Sequence, residues 1–170
     1  MSRNSAPMSI QIPPGVHRMP LLVPASAIDE LGHVNNVTWL SWLQEAATAH
    51  STALGWSLER YRELGAGWVV GSHYIEYLRP AFQGDSLEIL TWVASLESRR
   101  SLRRYSILRD GQPLVRAETM WVFVDFASGR SRSVVPEVAE VFPIMGTDLD
   151  FGASGPAAGG TPARAGNPSN

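Results

Sequence analysis

The residues with the most chemical potential sit in eight consecutive positions, Asp29-Glu30-Leu31-Gly32-His33-Val34-Asn35-Asn36. They put a carboxylate, an imidazole and two side-chain amides where an extended segment gives way to a helix. Gly32 lets the backbone take a tight or left-handed turn, so the segment can fold close to a ligand. Asn35 or Asn36 suits a helix N-cap, and a 3.6-residue apolar period begins just after them. A carboxylate beside the open amides of a helix N-terminus suits chemistry on a carbonyl.

Other chemistries find little support. The 170 residues contain no cysteine, which excludes disulfides, thiolate nucleophiles and Cys-ligated zinc. All 14 basic residues are Arg, so no lysine Schiff base can form. A net charge of -2 gives no global field for nucleic acid or an anionic membrane. His17, His50 and His73 show no metal-ligand spacing, and Asp29 with His33 alone makes a weak metal site. No cofactor is expected. Without a signal-peptide pattern or an apolar run of membrane-spanning length, the chain reads as a cytoplasmic protein.

The elements that must position the octet follow from pattern. Residues 1–14 read as a flexible arm and residues 146–170, rich in Gly, Ala, Pro and Ser, as a disordered tail. That leaves one domain at 15–145. His17–Ser26 reads as an irregular first strand, with Pro20 and Pro24 suited to an edge. Val37–Leu54 carries Trp39, Leu43, Ala46, Ala47, His50 and Leu54 near one face of a long helix. A helical turn is expected at Leu58–Leu64. The period then changes to two over Trp68–Leu78, Asp85–Leu96, Ser101–Arg109 and Pro113–Phe126, with Asp110-Gly111 as a hairpin turn. Pro136–Phe142 reads as a short last helix. The order predicts an α+β domain in which an antiparallel sheet of about five strands covers one helix.

Two stretches carry a family resemblance. Asp29-x-x-Gly32-His33-Val34-Asn35-Asn36-x-x-Trp39-Leu40, with Gln44-Glu45-Ala46 behind it, resembles the hotdog-fold acyl-CoA thioesterases of the 4-hydroxybenzoyl-CoA thioesterase family. Tyr77-Leu78-Arg79-Pro80-x-x-x-Gly84-Asp85-x-Leu87 resembles that family's second landmark. The resemblance spans about residues 17–143 and implies a long central helix wrapped by the sheet. One position departs: family members often carry an acidic residue two places before the catalytic Asp, where this chain has Ala27.

What the resemblance implies is hydrolysis of an acyl- or aroyl-CoA thioester to a free acid and CoA. Asp29 would act as general base or nucleophile, and the backbone amides near Asn36 and Val37 would hold the oxyanion. His33 joins the catalytic set chiefly by shaping the turn and orienting the substrate. Asn35 caps the helix or touches substrate. Glu45 reads as a solvated helix residue and is the fallback carboxylate. In Arg99-Arg100-Ser101-x-Arg103-Arg104, the members Arg99, Arg100 and Ser101 are candidates for the CoA phosphates, since Arg binds phosphate bidentately. The six tryptophans read as core, with one or two lining an acyl pocket. A homodimer joined edge to edge, or a homotetramer built from two such dimers, would place the site between protomers. The competing readings are a hotdog hydratase or dehydratase, a non-catalytic acyl-CoA-binding module, and a small metal-binding domain.

Overall fold

A computed structural model describes residues 10–152. Strand β1 (His17–Leu22) leads through a short 3-10 turn into helix α1 (Asn36–Ala53) and then α2 (Leu58–Leu64). Strands β2 (Ala66–Tyr77), β3 (Ser86–Leu96), β4 (Arg100–Arg109) and β5 (Gln112–Asp125) follow, and α3 (Pro136–Ala139) closes the series. The strands form one antiparallel sheet in the order β1-β3-β4-β5-β2, with α1 against one face. This is the expected α+β hotdog arrangement.

Helix α1 buries Trp39, Trp42, Leu43, Ala46, Ala47 and His50 at three- and four-residue spacings. Leu43 and Ala46 are fully enclosed and meet Ile89, Tyr105, Ile107 and Leu114 of the sheet. Its opposite side, with Ser41, Gln44, Glu45 and Thr48, is exposed. The β4–β5 hairpin turns at Asp110 and Gly111, both with positive φ (52° and 75°), as a two-residue primed turn requires. The last helix stops at Ala139, shorter than the expected Pro136–Phe142, although Phe142 is still buried.

The packed chain runs past both ends of the expected 15–145 domain. Ile10 and Ile12 from one side, and Met145, Leu149 and Phe151 from the other, cover Leu90, Trp92 and Leu108 on the outer face of the sheet. The remaining parts of the expected arm and tail lie outside the described residues. The two sheet edges also differ. β1 is short and carries Pro20, and the amides of Met145 and Gly146 bond the β3 carbonyls of Val93 and Ala94 beyond its end. β2 is twelve residues long, contains no proline, and exposes Val69, Val70, Tyr74 and Tyr77. It is the open edge.

A polar seam crosses the interior. Arg103, from the helix-facing side of β4, donates through Nη1 to His50 Nδ1 at 2.9 Å and to Thr91 Oγ1 at 3.2 Å. A guanidinium has only donors, so His50 must accept, which requires its neutral form. Burial, the Arg103 charge and then stacked His17 hold His50 down at about 3. The folded His50 therefore binds its proton more weakly than the unfolded chain. Its contribution is intact above the unfolded value near 6.5 and is lost as pH falls toward 3. His50→Gln keeps an acceptor for Arg103 but cannot titrate. In urea melts between pH 6.5 and 4 the native protein should lose stability more steeply than this variant, by up to about 1.4 kcal/mol per pH unit, one proton's worth. Parallel slopes would remove His50 as the source.

Candidate active site

The octet folds as a miniature hairpin. An antiparallel bridge pairs Ile28 with Val34, and the Asp29 amide donates to the His33 carbonyl at 2.9 Å. The tip closes when the Gly32 amide donates to the Asp29 carbonyl at 3.0 Å, with Gly32 at φ +81°. A residue with a Cβ would be strained there. Asp29 is half-buried, and its Oδ1 accepts from the Leu31 amide at 2.9 Å and, at the limit of hydrogen bonding, from the His33 amide at 3.5 Å. No donor among the described residues bonds Oδ2. The carboxylate is thus oriented through one oxygen while the other is left open.

The hairpin hands over directly to α1. Its exit strand is fixed by Asn35 N–H to the Ala27 carbonyl (2.9 Å) and Val34 N–H to the Ala81 carbonyl (3.0 Å). Asn35 is the N-cap: Oδ1 accepts from the Val37 amide at 2.8 Å, while its carbonyl accepts from the amides of Thr38 and Trp39. Val37 and Asn36 were both expected as oxyanion donors. The cap occupies the Val37 amide, whereas the Asn36 amide has no acceptor among the described residues. The Val37 side chain is 69% exposed and lies beside this open amide.

The second landmark holds the hairpin from outside. Ala81 is buried and supplies the carbonyl for Val34. The turn before β3 is tied by Asp85, which accepts from the Phe82 amide at 2.9 Å and pairs with Arg109 at 2.5 Å. Gly84, at φ +84°, donates its amide to the Val23 carbonyl. Arg79 donates to the Pro113 carbonyl at 2.6 Å. The Phe82 ring meets His33 edge-on at 5.4 Å between centroids. His33 is exposed, and its ring makes no hydrogen bond to Asp29. Sequence reading missed Phe82; an aromatic inside a Pro-to-Gly turn was its available signal.

The other candidates lie elsewhere. Arg99 and Arg100 are exposed on the β3–β4 turn. The hairpin sits where β3 begins and this turn sits where β3 ends, eleven residues or roughly 35 Å away at the usual strand rise. Within one chain the octet and the arginine turn are not brought together. Ser101 is buried and lines a cavity of about 140 Å³ between the C-terminal half of α1, α2 and the sheet. Trp56, Trp68, Trp121, Tyr61, Phe142 and Arg103 also line it. Glu45 stays on the exposed side of α1. Among the described residues no three His, Cys, Asp or Glu side chains converge as a metal would require, and no helix is long and apolar enough to cross a membrane.

Comparison with known proteins bears on the family and the fold. Residues 23–142 match the model of the thioesterase-like superfamily. An oleoyl-acyl carrier protein thioesterase 2, chloroplastic, from Arabidopsis thaliana is 32% identical over 112 residues. The match covers 61% of this chain and 30% of the relative, so this chain spans under a third of that protein's length. A DHNA-CoA thioesterase from Staphylococcus aureus superposes with a TM-score of 0.70 at 17% identity, covering 75% of this chain and 88% of that one. A hypothetical protein from Staphylococcus aureus, solved in complex with CoA, superposes with a TM-score of 0.72 at 15% identity, covering 78% and 85%. At those identities the two structures speak for the fold alone. The family match, spread over both landmarks, α1 and strands β2 to β5, makes this chain a member of the thioesterase-like superfamily.

Proposed function

We propose that the protein hydrolyses an acyl- or aroyl-CoA thioester to the free acid and CoA. The observation that carries this reading is a hairpin bearing a carboxylate with a free oxygen that leads straight into a helix whose first amide has no acceptor among the described residues. Asp29 Oδ2 activates a water that attacks the acyl carbon and expels the CoA thiolate, or itself attacks, expelling the thiolate and leaving an anhydride that water then opens. The Asn36 amide receives the oxygen as it becomes negative, aided by the positive end of the α1 dipole. Asn35 keeps this donor free by capping Val37 instead. His33 and Phe82 form one wall of the approach. A hydratase would need an Asp–His pair working together, and the His33 ring packs on Phe82 instead.

The arginine turn joins the same site in a dimer. β2 runs from the arginine end of the sheet at Ala66 to the hairpin end at Tyr77. Antiparallel pairing of this open edge with β2 of a second copy brings the arginine end of one protomer beside the hairpin end of the other. Arg99 and Arg100 then meet the phosphates of a CoA whose thioester lies at the partner's hairpin. This also covers an edge that would otherwise invite aggregation.

Asp29→Asn retains an acceptor for the Leu31 amide but no base. The variant should melt within about 1 kcal/mol of the native protein. Its thiol release should fall by at least about 10²-fold. Near-native turnover would shift the role to another group, Glu45 first. Replacing both Arg99 and Arg100 with Glu should raise KM for an acyl-CoA roughly tenfold while leaving an N-acetylcysteamine thioester unaffected, because only the CoA ester carries phosphates. Equal effects on both substrates would remove the turn from the binding site.

A further inference from the structure

The interior cavity holds a cation without a counter-charge. Arg103 is 5% exposed, lines the cavity, and carries its full charge. Its protein partners, His50 and Thr91, are both neutral and both served by Nη1 alone. No carboxylate among the described residues lies within ion-pairing distance. The contrast with the surface is informative: Arg18, Arg104, Arg109, Arg116 and Arg132 each have an acidic partner in water, where pairing contributes little. Several exposed arginines also lack an acidic partner, but Arg103 is the one arginine buried among the described residues, where an unpaired charge costs most.

Aromatic rings make up much of the remaining wall, beside Val93, Ser51 and Ser101. Trp56, Trp68, Trp121 and Phe142 enclose a volume of about 140 Å³, close to that of engineered apolar cavities that take up a benzene ring. Leu58 and Phe126, both partly exposed, rim the opening at the start of β2. That is the end of the sheet which antiparallel β2 pairing sets beside a partner's hairpin.

We propose that the cavity receives the far end of the acyl group and that this end carries a carboxylate, which pairs with Arg103 Nε and Nη2. The substrates are then ω-carboxyacyl or carboxyaryl thioesters. This specificity rests on the hydrolase reading above, whereas the anion site itself does not. Arg103 is itself buried among these rings, so an ion pair with it forms in surroundings less polar than water, where a neutral chain end cannot substitute for it. Arg103 is a specificity-determining residue here, remote from the reacting carbon.

The test uses the full chain with glutaryl-, adipyl- and suberyl-CoA against pentanoyl-, hexanoyl- and octanoyl-CoA, matched in carbon number. The best carboxylate-ended ester should exceed its neutral match in kcat/KM by about 10- to 100-fold, the range for a hydrogen bond to a buried charge. In Arg103→Met that ratio should collapse to one or below. Free adipate, and not hexanoate, should raise the melting temperature of the native protein and leave Arg103→Met unmoved. If Arg103→Met does not fold, the native protein's substrate ratio and adipate shift decide alone. Hydrolysis without preference for carboxylate ends, together with no adipate shift, overturns the proposal and leaves the hydrolase reading standing. An adipate shift with no thioester cleaved upholds the anion site and overturns the hydrolase reading instead.

Discussion

The arrangement depends on one constraint: α1 must pack one face against the sheet along its length while its first turn stays open. Small side chains make the close packing feasible. Ala46 and Ala47 let the helix backbone approach the sheet, and Trp39 and Trp42, edge-to-face at 5.3 Å, fill the wider space toward the N-terminus. A helix start has several amides to satisfy. Here Asn35 takes three of them with two oxygens, and the hairpin anchors Asn35 itself to Ala27. What is left is a single donor, held rigidly by a helix that cannot move without disturbing the core.

That rigidity is shared with the turn before β3. Ala81 links it to the hairpin through a backbone bond, and the Asp85–Arg109 pair links it to the end of β4. Two sequence segments some fifty residues apart are therefore one structural unit. The landmark at residues 77–87 matters to the hairpin mechanically, by fixing where its exit strand lies.

The legible parts of the chain are those whose signals are local. Leu58–Leu64 has the bounds expected of it, because Ser57 and Gly65 mark both ends. The α1 face and the Asp110-Gly111 turn follow for similar reasons. Arg103 was harder to place. In a run of arginines its charge suggests a solvated turn, yet strand alternation sets it on the same face as Ser101, Tyr105 and Ile107. The separation of Arg99 from Asp29 was not readable either, since it follows from strand order, which no short pattern encodes. Leu149 and Phe151 lacked any period because they fill places on a surface built by other segments.

The covering of the sheet's back by the chain's own ends has an architectural consequence. Ile10, Ile12, Leu149 and Phe151 occupy apolar ground over β3 and β4, and Arg116–Asp150 pins the second of these segments at its margin. A flat, unoccupied back is what would let two sheets stack face to face. This molecule has upholstered that surface from within, so a neighbour could use it only after peeling the segments off. The strand edge left bare among the described residues is therefore that of β2, at the side away from these segments.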